Sequence, residues 1–346
     1  MGFFLGQVIV KYEELKDLCV RSLENVGVPA GHAETVAEVL IHANLRGVNS
    51  HGVMRMEHYI KRIESGGINI NPNITIRDTG PATAVVDGDD GLGHVVADKA
   101  MEYAVEVAKK VGVGLVGVIN SSHCGAMSYF VSRAARENLI GFATTNTDSF
   151  VVPFGGAKPF FGTNPIAYGF PAGEKDPVIL DMATSTVAYG KILHAAETNN
   201  PIPPDWAVDS QGNPVTDPGK AVALMPFGGP KGYGLGMVVD ILSGVLTGSP
   251  FGTHVPKMYG DYDKKRKLGH FMGAIDVSRF TEINSFLNGI DQLLDEIRAI
   301  PPAAGFSRVM APGDPESNLA KERIKNGIPI VDVEYNFLKL ASRKKN

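Results

Sequence analysis

Four groups of residues have types and spacings that could do chemistry. The first is Ser50, His51, Arg55 and Tyr59. His51, Arg55 and Tyr59 are spaced by four, so a helix beginning at Ser50 puts all three on one face, opposite a stripe of Val53, Met56 and Ile60. Arginine offers a planar fork for a carboxylate, and histidine titrates near neutrality. The plainer reading is a serine N-cap followed by an exposed polar face. The second group is Ser121, Ser122, His123, Cys124, Gly125 and Ala126, where an apolar run gives way to a helical pattern. Ligands of α/β folds collect at such strand ends, and a histidine there can act as general acid or base. Packing against the sheet is the alternative. The third is Gly228, Gly229, Pro230, Lys231 and Gly232, ahead of a long apolar helix. A lysine at an already positive helix N-terminus is electrostatically misplaced unless an anion such as a phosphate joins it. Otherwise this is a glycine-rich turn whose lysine points into water. The fourth pairs the turn around Thr163 with Asp181, Met182 and Ala183, both small-residue turns at strand ends.

Other chemistries are poorly supplied. Gly112, Gly114 and Gly117 spell GxGxxG, but they precede and overlap a strand that follows a helix, the reverse of a dinucleotide loop. Lys191 and Lys220 follow glycine but precede Ile and Ala, so no phosphate-binding loop is formed. There is no HExxH, and the nine histidines make no tight ligand cluster, so no metal is expected.

The positioning elements follow from periodicity. Leu15, Leu18, Cys19 and Leu23 predict a first helix stopped by Gly27. Val36, Val39, Leu40 and Ala43 predict a second, stopped by Gly47, and a third runs from Ser50 to Gly66 and Gly67. A helix over 96–110 precedes a short apolar strand at 114–119. A loop, a helix and a second apolar run at 139–144 complete a strand–helix–strand unit with the usual right-handed crossover. A short strand ends at Asp181, residues 199–218 read as a surface loop, residues 234–246 as a helix, and a last amphipathic helix spans 283–300. A basic tail from Ser342 to Asn346 is expected to fray.

The 346-residue length suggests about two domains. Hydrophobic residues make up 44%, enough for a sizeable core, and the net charge of −4 argues against nucleic-acid binding. The only uncharged stretch long enough to span a membrane, 111–132, carries Asn120, Ser121, Ser122 and His123 in its middle, so no membrane partner is expected. Two cysteines, far apart, and no basic segment ahead of the apolar N-terminus point to a reducing cytoplasm.

The runs SHGVMR, SSHCGA, FGTNPIA, LDMATS, PDWAVDSQGNP, GGPKGYGLGMVVDILSGVLTGSPFG and LGHFMGAID occur in that order. Together they resemble the type-2 malate/L-lactate dehydrogenase family over nearly the whole chain. Tyr59, the PDWAVD loop and the Val255, Pro256, Lys257, Met258, Tyr259 stretch are most similar to its ureidoglycolate-oxidising branch. The resemblance implies an α/β fold of non-Rossmann type: a mainly helical domain (1–75, completed by 310–346) and an α/β domain (76–309) that binds the nicotinamide cofactor. It implies a homodimer, and NAD as cofactor, with NADP open.

By position, the resemblance makes His123 the proton donor and acceptor, with His51 as the rival that other branches use. It gives Arg55, Ser50, Tyr59 and Thr163 to the substrate, a small 2-hydroxy or 2-oxo acid. It gives Thr147, Asp181, Met182, Ala183, Lys231, Gly289, Ile290, Asp291, Pro312 and Gly313 to the cofactor. The implied activity is oxidation of ureidoglycolate to oxalurate, with malate, L-lactate or sulfolactate on the same frame as alternatives. From the residues alone, a transferase or lyase using the Lys231 turn, or a non-catalytic nucleotide-binding protein, stays open. Lys191 replaces an acidic residue of the cyclic-imine reductase branch, which speaks against that activity.

Overall fold

The computed structural model describes residues 6–343. The first five residues and the last three of the basic tail, on which part of the signal-peptide and fraying expectations rest, lie outside them.

Two hydrophobic cores organise the chain. The first belongs to helices α1 (Tyr12–Glu24), α2 (Ala30–Leu45) and α3 (Met56–Glu64). Leu15, Cys19, Leu23, Val36, Leu40 and Met56 meet in it without solvent contact. The C-terminus closes this core. Strand β1 (Gln7–Val10) pairs with the late strand β11 (Ile328–Val331), and Leu338 of the final helix α10 (Asp332–Ala341) is buried there.

The second core lies on a seven-stranded sheet. In chain order its strands are β2 (Thr75–Gly80), β3 (Thr83–Asp87), β4 (Val113–Ser121), β5 (Leu139–Thr145), β6 (Ile166–Phe170), β7 (Val178–Met182) and β10 (Leu268–Asp276). Their spatial order is β2-β3-β4-β10-β5-β6-β7. Helices α4 (Gly93–Val111) and α5 (Ser128–Arg136) cover one face through Ala97, Met101, Ala104, Phe130 and Val131.

This topology corrects the strand–helix–strand expectation. β4 and β5 do run in the same direction with α5 between them, but they are not neighbours. β10 inserts between them and runs antiparallel to both. Within this sheet, among the described residues, β3 and β4 are the one parallel pair. The GxGxxG run is structural here. Gly112 caps α4 at φ 100°, and a Cβ on Gly114 would stand 2.1 Å from the Ala104 carbonyl oxygen.

Further corrections are local. The segment 199–218 is not only surface loop, because Ala207 and Val208 form a buried strand β8 paired with β9 (Ala223–Leu224). Ile202 and Val215 fill a small satellite core beneath it, beside α6 (Tyr189–Glu197). Helix α7 (Pro230–Asp240) continues into a π-helical turn, Ile241–Val245. Helix α8 (Ile283–Ala299) is not the last, because α9 (Asp314–Asn326) and α10 follow.

Candidate active site

His123 stands in the loop between β4 and α5, held from two sides. Ser122 accepts the Gly93 N–H at 2.9 Å and donates to the Gly91 carbonyl at 2.9 Å, which ties the loop to the start of α4. Gly93 must be glycine for this approach, since a Cβ there would lie 2.1 Å from the Ser122 carbonyl oxygen. Gly125, at φ 80°, turns the chain back so that its N–H reaches His123 Nδ1 at 3.4 Å. The Tyr59 hydroxyl lies 2.7 Å from the same nitrogen. With Nδ1 engaged, Nε2 is the nitrogen left for a ligand.

Tyr59 is therefore not on an exposed polar face. It is 2% exposed and shares the core with Met56 and Ile60. The reason is a broken helix. Asn49–His51 and Val53–Arg55 are two 3-10 turns separated by Gly52, which lies so close to Asn44 that a Cβ would stand 2.3 Å from its Oδ1. Asn44 Oδ1 accepts the Val53 N–H at 2.8 Å. α3 starts only at Met56, so the spacing of four no longer aligns His51 with Tyr59.

The rings nevertheless converge. His51 stacks on His123 at 5.4 Å with 24° between planes, and its Nδ1 lies 3.0 Å from the Ser50 hydroxyl. Tyr59 also meets His94 edge-on at 4.9 Å. His94 is 0% exposed, and neither ring nitrogen has a hydrogen-bond partner among the described residues. Burial disfavours the charged form of all three imidazoles. It lowers His51 to about 4 and His94 to about 3, with nearby cationic forms adding to the effect. For His123, burial is again the first cause, followed by His51, Arg55, His94 and Arg266.

His51 and His123 border a cavity of about 670 Å³, within the usual range for small-molecule sites. Ser50, His51 and His123 line one part of it. Thr147 and Thr163 line another, fixed to each other because the Thr163 N–H donates to Thr147 Oγ1 at 3.0 Å. Asp181, Met182 and Ala183 form the rim along β7, facing Pro312 and Gly313 at the start of α9. The Asp181 carboxylate accepts the Ser128 N–H at 2.7 Å and so caps α5, while burial raises its pKa. Arg55 stands beside Ser50, donating from Nε to the Ser50 carbonyl at 2.6 Å.

Six of the residues assigned by sequence do not line this cavity: Tyr59 stands behind His123 and Arg55 behind Ser50, and the other four are farther off. Lys231 is exposed on the first turn of α7. Gly289, Ile290 and Asp291 lie on α8, where the Asp291 carboxylate accepts the backbone N–H groups of Gly173, Glu174 and Lys175 at 3.1, 2.7 and 3.3 Å. Sequence reading in turn missed His94, whose signal was a lone histidine among apolar residues at a helix start. It also missed Arg46, a cavity-lining cation whose Nη1 donates to Ser317 Oγ at 3.3 Å.

The cavity suits a dinucleotide on its own evidence. Its lining is mostly apolar, suited to flat rings, with Arg46 as a cation for an anionic group and Gly313 at φ 90° permitting close backbone approach.

Comparison with known proteins shows the family. The family model described as malate/L-lactate dehydrogenase matches residues 10–339. Ureidoglycolate dehydrogenase (NAD(+)) of Escherichia coli O157:H7 is 44% identical over 330 residues, covering 95% of this chain and 94% of that one. The solved structure of sulfolactate dehydrogenase from Methanocaldococcus jannaschii superimposes with a TM-score of 0.91 at 41% identity, covering 96% of each chain. That of malate dehydrogenase from Pyrococcus horikoshii OT3 gives 0.87 at 36% identity, covering 97% of this chain and 95% of that one.

Proposed function

The chain belongs to the malate/L-lactate dehydrogenase family and is a nicotinamide-dependent dehydrogenase of a CH–OH group; on that premise we propose that it oxidises a small 2-hydroxy acid with NAD, foremost ureidoglycolate to oxalurate. The observation that carries this reading is the convergence of His51 and His123 on one part of a largely apolar cavity, with Tyr59 bonded behind His123 and Arg55 bonded to the Ser50 carbonyl. Malate, sulfolactate and L-lactate are the alternatives on the same frame, the first two favoured by the names of similar proteins. Membership of this family sets aside the transferase and lyase readings of the Lys231 turn.

In this reading Arg55 holds the substrate carboxylate and His123 Nε2 takes the hydroxyl proton. The neutral imidazole must then carry its hydrogen on Nδ1, a tautomer in which the 3.4 Å approach of the Gly125 N–H is not a hydrogen bond. The Tyr59 hydroxyl, donor and acceptor at once, can accept from Nδ1 in this tautomer and can equally donate to Nδ1 in the other. Once His123 is protonated, Tyr59 accepts from Nδ1 and the buried imidazolium keeps a partner. Thr147, Asp181, Met182, Ala183, Pro312 and Gly313 would hold the cofactor, with Arg46 near its anionic part and Thr163 on the substrate side. When bound, the nicotinamide supplies the acceptor for the hydride released from the carbinol carbon. The largely apolar lining limits water around the reacting atoms.

We also assign a homodimer. Leu235, Val238, Ile241 and Val245 stand exposed at helical spacing along α7 and its π-helical extension, an apolar stripe of the kind that marks an association surface. Lys231 sits at the start of that same stripe. Two buried free cysteines suit a reducing compartment such as the cytoplasm. The test of the catalytic reading is absorbance at 340 nm with NAD and a panel of ureidoglycolate, malate, sulfolactate and L-lactate. Reduction of NAD by none of them would overturn it.

A further inference from the structure

The sequence reading offered Tyr59 to the substrate, but its hydroxyl serves His123 from within the core. A different phenol is exposed beside Arg55. Tyr259 lies in the irregular segment ahead of β10, is 51% exposed, and its hydroxyl accepts a hydrogen bond from Arg55 Nη1. Its ring packs on His58 at 5.1 Å, and the Arg55 guanidinium carbon lies 5.8 Å from its centre.

The segment carrying Tyr259 has no helix or strand, yet its backbone is fixed on both sides. Arg62, 2% exposed, donates to the carbonyls of Lys257 at 3.0 Å, Met258 at 3.2 Å, Asp261 at 3.2 Å and Lys264 at 2.8 Å. One Asp148 carboxylate oxygen accepts the Met258 N–H at 3.1 Å, and the other pairs with buried Arg266 at 3.0 Å. Burying two guanidinium groups is costly, and here both go to holding the loop that carries Tyr259.

The donor count at Arg55 is also informative. Arg55 has no salt bridge among the described residues. Its Nε is used by Ser50 and its Nη1 by Tyr259, which leaves Nη2 free. Because the Tyr259 hydroxyl accepts from Arg55, its own hydrogen is left without an acceptor among the described residues. This corner therefore presents unused donors on Arg55 and Tyr259, and it fits a ligand bearing acceptor oxygens.

We infer that Tyr259 is a specificity-determining residue: its hydroxyl, held beside Arg55 by the segment that Arg62 clamps, donates to an acceptor oxygen on the group a 2-hydroxy acid carries beyond its carbinol carbon. The inference rests on the 2-hydroxy-acid reading above. Carboxylate, sulfonate and urea carbonyl groups offer that oxygen, and the methyl of lactate does not. Arg62 is a positioning residue that acts through the segment.

The test compares Tyr259→Phe with the wild-type holoenzyme on ureidoglycolate, malate and L-lactate. kcat/KM should fall about tenfold or more on the acid that is turned over best and carries a distal oxygen, mostly through KM. On lactate it should change less than about threefold, and NADH affinity by calorimetry should not move. Where turnover is too slow to follow, competitive inhibition constants give the same ratio. Arg62→Lys should show the same substrate pattern, and the double variant should add little to it, whereas a merely structural role would lower all substrates alike. An equal fall on all substrates, or none, in Tyr259→Phe overturns the inference and leaves the catalytic reading standing. A wild-type enzyme that oxidises none of the acids overturns both.

Discussion

At the scale of single residues, the two stacked histidines divide the work by their second partners. Among the described residues His51 has the Ser50 hydroxyl as its hydrogen-bond partner, whereas His123 has a buried tyrosine that serves either tautomer. His123→Ala should lower kcat by about two to four orders of magnitude, the usual worth of a general acid–base group, with NADH affinity unchanged in a calorimetric titration. Full turnover in that variant, with loss in His51→Ala, would transfer the role to His51. The pH dependence carries a sign as well. In the free enzyme, burial and the charge of Arg55 press the His123 pKa down. A bound carboxylate offsets Arg55 and favours the imidazolium, which raises that pKa. The acid limb of log kcat should therefore lie at higher pH than that of log kcat/KM, because the first reports the complex and the second the free enzyme. Superimposed limbs would show that no anion neutralises Arg55.

At the scale of elements, the site depends on close packing between α4 and the loop that carries His123. Gly93→Ala would place a methyl against backbone at Ser122 and His123, which cannot rotate away. Overpacking of this kind costs about 1–3 kcal/mol, and for a chain this long that lowers Tm by several degrees. kcat should fall with it, because the displaced segment is the one holding the base. Scanning calorimetry and steady-state rates on one preparation check both, and an unchanged kcat would separate the loop from catalysis. The same packing explains what was readable in advance. α1, α2 and α4 declare themselves because each buries one continuous apolar stripe. β10 does not, because Gly269, His270 and Gly273 interrupt its apolar pattern; its place between β4 and β5 is set by partners more than a hundred residues away. α9 hides for the opposite reason, having no buried residue to give it a period. His51 and His123 were visible as residue types. The buried setting of Tyr59 was not, because one close approach at Gly52 breaks the helix that the spacing implied.

At the scale of the whole molecule, the buried histidines couple stability to pH. His42, His58 and His94 are lowered to about 3 and His51 and His270 to about 4, with His123 also well below its usual value; burial is the first cause in each. These folded-state values lie below those of the unfolded chain, so the unfolded state binds more protons between pH 4 and 6.5. Stability is then fully present above about pH 6.5 and is lost as pH falls through that window. At pH 5.5 the unfolded imidazoles are about nine-tenths protonated, so unfolding should take up about five protons from these six groups. Asp181 and Asp240, whose pKa values are raised by burial, oppose this only in part. Calorimetric unfolding in buffers of different ionisation enthalpy measures the uptake, and a value near zero would contradict the buried neutral histidines. Assembly offers an independent handle on the molecule. Val238 is 46% exposed midway along the apolar stripe of α7, while Val239 beside it is buried. Val238→Glu leaves the core untouched and places a charge where two copies would meet, and an unpaired charge in such an interface is costly. Sedimentation velocity should show a dimer for the wild type and a shift towards monomer for Val238→Glu, with the far-UV spectrum unchanged. A wild type that sediments as a monomer would leave the stripe without its assigned partner, and a variant that stays dimeric would move the interface elsewhere. Because Lys231 begins the same helix, the Val238→Glu monomer also shows whether NADH affinity depends on the second copy. An affinity equal to that of the dimer would mean that each chain completes its cofactor site alone.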